Sequence, residues 1–449
     1  MRVFIDTLGC PKNQNDSDIA KGILESAGHS IAAGPEDADV IIVNTCGFIE
    51  DAKRESISEI IEMSSYRKQG KKLVASGCLV QRYAAELADE MPEIDAFVGV
   101  NDYERLPELL NSLIVDDKLF IATDGCVAGT FERQSENRKV PDEPYTAYLR
   151  IAEGCNKACS YCAIPSIRGP YRSRTEESIV KEAENLAAHG CKELVLIAED
   201  TGYYGIDLYG ERKLPELLKK LCRINGIEWI RIMYCYDDNI SDELIEVMAS
   251  EPKICHYIDI PLQHASDNVL RRMNRRSRAS TIRETVAKLR NAMPDIAIRT
   301  TMIVGFPGET EEDMDELLEL VEEARFERLG AFRYSKEEGT AAALMEDQID
   351  PETAEERLDR LMLLQMEISR ELNERFTGNV MDVIVDGMDE DGVSCVGRTR
   401  YDAPEIDDSV IFTPLKPHVK GDIVKVKIVD TFDYDLLGNE VDNQDESAQ

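Results

Sequence analysis

Residues 153–169 read EGCNKACSYCAIPSIRG and place Cys155, Cys159 and Cys162 within eight consecutive positions. The run follows the apolar stretch AYLRIA, so the three thiols fall on one loop just past an expected strand. Three thiolates on a loop cannot close a structural zinc site, which takes four protein ligands. They suit a four-iron four-sulfur (4Fe-4S) cluster with one iron left open, and an open iron can chelate the amino and carboxylate groups of a ligand such as S-adenosylmethionine. The rival is a zinc loop completed by a distant Cys or His. Tyr161 before the last cysteine and the strand context favour the cluster.

Downstream of this loop, apolar runs alternate with helical segments: ELVLIA, WIRIMY, YIDIPL, AIRTTMIVGF and LGAFRYS. With AYLRIA they make six βα units and an expected barrel-like or partial-barrel sheet, whose active site sits at the carboxyl ends of its strands. Glu199 and Asp200 end one run and could meet ribose hydroxyls or the methionine amine. Gln263 and His264 end another, and His264 could equally be a satisfied structural histidine. GFPGET, residues 305–310, follows a strand and opens a helix. Gly305 and Gly308 there would let backbone approach a ligand, and the helix start would favour an anion; an ordinary strand-to-helix turn is the alternative.

Upstream, the first hundred or so residues repeat a β-branched run followed by an amphipathic stretch, which implies a parallel α/β sheet. RVFIDTLGC, DVIIVNTCGF and KKLVASGCL each finish near a cysteine: Cys10, Cys46 and Cys78. A parallel sheet aligns its carboxyl ends along one edge, so the fold would gather three thiols remote in sequence. A lone free cysteine is commonly a small buried hydrophobe. Cys126, Cys191, Cys222, Cys235, Cys255 and Cys395 have no comparable placement and read as structural.

The expected domains are 1–125, a linker at 126–144 where periodicity is lost, a central domain at 145–376, and a small antiparallel β-barrel at 377–440 with short strands and turn signals. The closing DNQDESAQ is polar and reads as frayed. Hydrophobic residues make up 43% and charged residues 31% of the 449, as in globular proteins. No membrane-length apolar run or secretion signal is present, so the expected address is cytoplasmic and the twelve cysteines read as metal ligands or buried thiols rather than disulfides. With 52 basic and 88 acidic residues the net charge is −36. That field repels phosphate backbones and attracts basic surfaces, though an acidic surface also serves solubility.

Taken together, the sequence resembles the radical S-adenosylmethionine methylthiotransferase family over nearly its whole length. EGCNKACSYCAIPSIRGPYRSR is similar to that family's cluster loop, the three strand-end cysteines to its N-terminal domain, which carries a second cluster, and the C-terminal segment to its TRAM domain. LGCPKNQNDSD, RFERLGAFRYSKEEGT, RLDRLMLLQMEIS and GRTRYDAPEIDD resemble the branch that modifies an aspartate of a small-subunit ribosomal protein, rather than the branch acting on a tRNA adenosine. Glu199 stands where that branch usually has Gln, Asp237 and Asp238 replace a Pro-Glu after Tyr236, and Asp408 occupies a usual Gly position.

The resemblance implies two 4Fe-4S clusters, one on Cys155, Cys159 and Cys162 and one on Cys10, Cys46 and Cys78. Tyr161, Glu199, Gln263, Gly305 and Gly308 are the cofactor-binding candidates. It further implies methyl transfer to a sulfur at the N-terminal cluster, reductive cleavage of S-adenosylmethionine at the other, and hydrogen abstraction from the aspartate β-carbon. The implied partners are a basic ribosomal protein and an electron donor such as flavodoxin or ferredoxin, with nucleic acid disfavoured. The carboxylates Asp402, Glu405, Asp407, Asp408, Asp430, Asp433 and Asp435 are expected to form an acidic docking surface for that partner.

Overall fold

The structure, a computed structural model, describes residues 1–115, 119–125 and 130–442. Cys126 and nearly all of the closing tail lie outside the described residues. The N-terminal sheet contains β1 (Arg2–Thr7), β2 (Ser30–Ile31), β3 (Val40–Thr45), β4 (Lys72–Gly77), β5 (Ala96–Val98) and β6 (Phe120–Ala122) in the order β2-β1-β3-β4-β5-β6. All its pairings are parallel. Every residue of β3, VIIVNT, is buried, as expected of a central strand covered on both faces. Three connections run through helices α1 (Pro11–Ser26), α2 (Glu50–Ser64) and α3 (Cys78–Glu90), and a fourth helix, α4 (Leu106–Val115), precedes β6.

The expected linker is not featureless. Its residues Thr130–Glu136 form α5, whose Phe131 is buried beneath the Arg150 guanidinium. Arg138 pairs with Asp18 of the first domain at 2.9 Å and with Glu182 of the second at 2.8 Å. A seven-residue helix is too short to show a periodic pattern, and tertiary contacts rather than propensity hold it.

The second sheet is a row of six parallel strands, β7 (Thr146–Arg150), β10 (Glu193–Ile197), β11 (Trp229–Ile232), β12 (Ile254–Gln263), β13 (Ala297–Val304) and β14 (Arg328–Arg333), in spatial order β14-β13-β12-β11-β10-β7. β8 (Ala152–Glu153) and β9 (Arg172–Ser173) form a small antiparallel pair that frames the cysteine loop and α6 (Ile164–Arg168). One sheet face packs Leu194, Leu196, Ile230, Ile232 and Ile258 into the largest apolar core. Among the described residues no helix is long and apolar enough to cross a membrane.

A closed barrel of β15 (Val380–Met388), β16 (Cys395–Arg398), β17 (Val410–Thr413), β18 (Ile423–Thr431) and β19 (Leu436–Glu440) completes the chain. Four of its pairings are antiparallel; β17 and β19 pair in parallel. Ile384 and Ala403 of this segment pack against Val195, Ile197, Trp229 and Tyr257 on the second face of the central sheet.

Here the expectation of an acidic docking surface needs correction. Arg328 binds Asp402 at 2.6 Å and Asp408 at 3.1 Å, and Arg299 binds Asp407 at 3.2 Å, while Tyr257 donates to the same Asp407 at 2.6 Å. The side chains of Asp402 and Asp407 are 2% exposed and that of Asp408 13%. These carboxylates face arginines of the central strands and seat the barrel on the sheet. Asp435 accepts from the Ser409 amide, which leaves Glu405, Asp430 and Asp433 exposed. A run of aspartates in one dimension does not reveal arginines supplied by strands 70 to 110 residues away.

Candidate active site

The loop carrying Cys155, Cys159 and Cys162 is pinned on every side. The Cys155 amide donates to the Gly169 carbonyl, Ser160 is bonded to the Met273 and Arg272 carbonyls, Ala342 donates to Ser160, and Asn274 donates to the Ala158 carbonyl. The Lys157 and Ile164 amides point at the sulfurs of Cys155 and Cys162, each at 3.4 Å. Burial pushes the Cys155 thiol up to about 11 and that of Cys162 to about 12, and these two amides act in the opposite direction. The arrangement suits thiols that lose their protons when iron binds.

Cys10, Cys46 and Cys78 converge as the parallel register requires. Thr45 pairs with Gly77, so Cys46 and Cys78 are the next residues on adjacent strands. Gly9 has φ +89°, and a Cβ there would lie 2.8 Å from Cys46 Cβ, so only glycine lets the Cys10 turn come so close. Asn13 stitches these turns: its amide nitrogen donates to the Leu8 and Thr45 carbonyls, and its oxygen lies 3.8 Å from the Cys78 sulfur. Burial raises Cys46 and pushes Cys78 up to about 12.

Among the described residues no three His, Cys, Asp or Glu side chains are spaced for a single metal ion, where thiolate sulfurs about 3.8 Å apart would be needed. Two triads, each on one sheet edge and with donors directed at a sulfur, fit a cluster with one iron left open.

Arg168, the last residue of α6 and six residues after Cys162, reaches across the domain boundary to the N-terminal triad. Its guanidinium reaches Cys78 sulfur at 3.3 Å, Asn13 oxygen at 3.1 Å, Asp16 at 2.9 Å and Glu153 at 3.0 Å. Arg150 pairs with the same two carboxylates at 2.6 Å each. All four charged side chains are 5% exposed or less. Burial would raise Glu153, but Arg168 and Arg150 hold it down to about 2. A second bridge joins Lys12 of α1 to Glu199 past the end of β10, with 3.6 Å between charges. Burial raises the Glu199 carboxyl despite Lys12, and among the described residues neither of its oxygens has a hydrogen-bond partner. Asp200 is raised to about 6 by burial, against the pull of Lys157.

The remaining expected residues divide. Tyr161 packs edge-on against Phe306, and its hydroxyl lies 3.4 Å from Arg275. Gln263 ends β12 with φ +72°, and Tyr234 just past the end of neighbouring β11 has φ +55°; such non-glycine strain is held by surrounding structure and clusters at functional edges. Gly305 has φ +70°, and a Cβ on it would lie 2.6 Å from Ala354 Cβ; one on Gly308 would meet the Arg272 guanidinium. The Gly305 and Phe306 amides donate to Glu309, so the turn already holds a carboxylate of its own. His264 accepts from the Ser266 amide and faces Glu309 at 3.5 Å, fully buried. Lys12, Asn13, Asp16, Arg150, Glu153 and Arg168 were not singled out from sequence. The signal available was that each lies within six residues of a cluster cysteine.

Residues 149–321 match the Radical SAM superfamily, residues 2–99 the uncharacterized protein family UPF0004 and residues 377–441 the TRAM domain. The ribosomal protein uS12 methylthiotransferase RimO of Lachnoclostridium phytofermentans is 46% identical over 441 residues, covering 98% of this chain and 99% of that protein. Its namesake in Clostridium acetobutylicum is 48% identical over 437 residues, 96% of each. Among solved structures, the radical S-adenosylmethionine methyltransferase TsrM from Kitasatospora setae, with cobalamin and a [4Fe-4S] cluster bound, is 14% identical. It superposes with a TM-score of 0.56 over 85% of this chain and 80% of that one, a likeness of fold.

Proposed function

This chain belongs to the RimO family of ribosomal protein uS12 methylthiotransferases, which are radical S-adenosylmethionine enzymes, and from that premise we propose how its residues divide the work of placing a methylthio group on the β-carbon of a uS12 aspartate. Cys155, Cys159 and Cys162 hold the 4Fe-4S cluster that binds S-adenosylmethionine. Cys10, Cys46 and Cys78 hold the second. When bound, the first supplies the electron that cleaves S-adenosylmethionine and the second the sulfur that carries the methyl group.

The observation that carries this reading is the contact of Arg168, six residues after Cys162, with Cys78 of the other triad. A β C–H bond is too inert for acid–base chemistry, so the substrate carbon has to reach radical and sulfur in one site. The protein's part is positioning. Arg150 and Arg168 neutralise Asp16 and Glu153 and lock the domains in register. Tyr161, Glu199 and Gln263 line the edge where S-adenosylmethionine would lie.

The electron donor we assign is a small cytoplasmic carrier such as flavodoxin or ferredoxin. A tRNA substrate is disfavoured by the net charge of −36. The test is anaerobic turnover of the reconstituted protein with uS12 deuterated at the aspartate β-carbon. Deuterium should appear in 5′-deoxyadenosine alongside methylthiolated uS12; 5′-deoxyadenosine free of deuterium, with product formed, would contradict the reading.

A further inference from the structure

Lys12 is a cation in an unusual position. It is the second residue of α1, two positions after Cys10, yet its head group crosses the domain boundary to the rim that carries the other triad. It stands 3.6 Å from Glu199 and 4.5 Å from the centroid of the Tyr234 ring, with its side chain 12% exposed. The neighbouring cations are taken by close carboxylates: the buried Arg150 and Arg168 by Asp16 and Glu153, and the partly exposed Lys157 by Asp238 at 2.5 Å. Lys12 is held more loosely. Among the described residues its one paired carboxylate, Glu199, lies beyond hydrogen-bond reach at 3.6 Å, is 6% exposed and has no hydrogen-bond partner on either oxygen. Tyr234 is kept against it by a left-handed backbone bonded to Asp259.

Resting on the function proposed above, we propose that the Lys12 ammonium binds the side-chain carboxylate of the substrate aspartate. An aspartate whose β-carbon must reach both triads brings its carboxylate, one bond from the reacting carbon, close to Lys12, whose side chain is 12% exposed. An unpaired carboxylate there is costly, so a cation has to meet it. A group that holds the carboxylate also fixes the β-carbon, since the two atoms are bonded. Lys12 has the charge, the central position and the loose existing partner needed to receive it. Glu199 then serves as the resting counter-ion. A neutral side chain such as asparagine would leave the ammonium without that partner, so Lys12 makes the site selective for aspartate.

The experiment compares uS12 with a uS12 variant carrying asparagine at the modified position, using wild-type protein, Lys12→Met and Lys12→Arg, with iron content and far-ultraviolet circular dichroism confirming that each variant is intact. Wild-type protein should favour aspartate over asparagine by about 100-fold in kcat/KM, the size expected when one partner of a buried charge pair is missing. Lys12→Met should lose most of that preference, chiefly through slower modification of the aspartate substrate, and Lys12→Arg should retain much of it. A wild-type protein that modifies both substrates equally overturns the proposal without any variant. So does a Lys12→Met protein with the full preference for aspartate. Failure of wild-type protein to modify uS12 at all would instead remove the underlying function, and the wild-type control reports that separately.

Discussion

Cys155, Cys159 and Cys162 lie within eight residues of one loop, whereas Cys10, Cys46 and Cys78 come from three turns 36 and 32 residues apart. The first triad sits on one loop and can be read as a motif, although Arg272, Met273, Asn274 and Ala342 pin that loop from elsewhere in the fold. The second exists only because β1, β3 and β4 are parallel and in register, so it depends on the sheet. Arg168 couples them, since it ends the helix that follows the first loop and touches a sulfur of the second triad.

The largest expected effects separate the two. Replacing Cys155, Cys159 and Cys162 with Ala should abolish 5′-deoxyadenosine formation and remove about half of the iron, with three thiolates expected per cluster. Replacing Cys10, Cys46 and Cys78 should abolish methylthiolated product while reductive cleavage of S-adenosylmethionine persists. Chromatography of 5′-deoxyadenosine and mass spectrometry of uS12 read both. Product from the second variant would merge the two roles.

Next in size is Arg168→Met, which leaves Asp16 and Glu153 with Arg150 alone. Breaking a buried ion network in this way should cost about 3–5 kcal/mol, read by urea unfolding of the apoprotein. The N-terminal triad should lose iron more readily than the central one. Equal loss from both would show that Arg168 does not distinguish them.

How far each region was legible follows the same division. The six βα units of the central domain and its cysteine loop were readable because a strand's apolar run and a three-cysteine spacing are local signals. The N-terminal triad needed one further step, from alternating elements to a parallel sheet with a common edge. Lys12 and Arg168 were not legible, because a lone lysine or arginine beside a motif gives no sign of which carboxylate or sulfur will meet it. The aspartates of GRTRYDAPEIDD were misread for the same reason: charge visible in sequence was taken as surface charge, and Arg299 and Arg328 had already claimed it.

That correction carries its own, smaller prediction. Arg328→Met should strand Asp402 and Asp408 and loosen the C-terminal barrel by about 2 kcal/mol, seen as faster hydrogen exchange in β15 to β19 than in the central sheet. Neutralising Asp407, which Arg299 and Tyr257 hold, therefore perturbs domain docking, so salt-dependent capture of uS12 is better sought at Asp430 and Asp433.

The smallest effect concerns pH. Burial raises the Asp408 carboxyl to about 7, against the pull of Arg328, which already holds Asp402 at the shorter distance. A carboxyl raised in the folded state binds its proton more tightly there than in the unfolded chain, so stability falls as pH rises from about 4 to about 7. Asp408→Asn should flatten that part of the curve and gain about 1 kcal/mol or less at pH 8. Thermal unfolding between pH 5 and pH 8 measures it, and an unchanged slope in the variant would place the titration elsewhere.

The most direct test of the whole account is mass spectrometry of uS12 and of bulk tRNA from a strain lacking this gene, beside the same strain complemented with it. The account predicts that uS12 loses one methylthio group in the deletion strain and regains it on complementation, with tRNA modification unchanged. Loss of a methylthio group from tRNA, with uS12 identical in both strains, would contradict it.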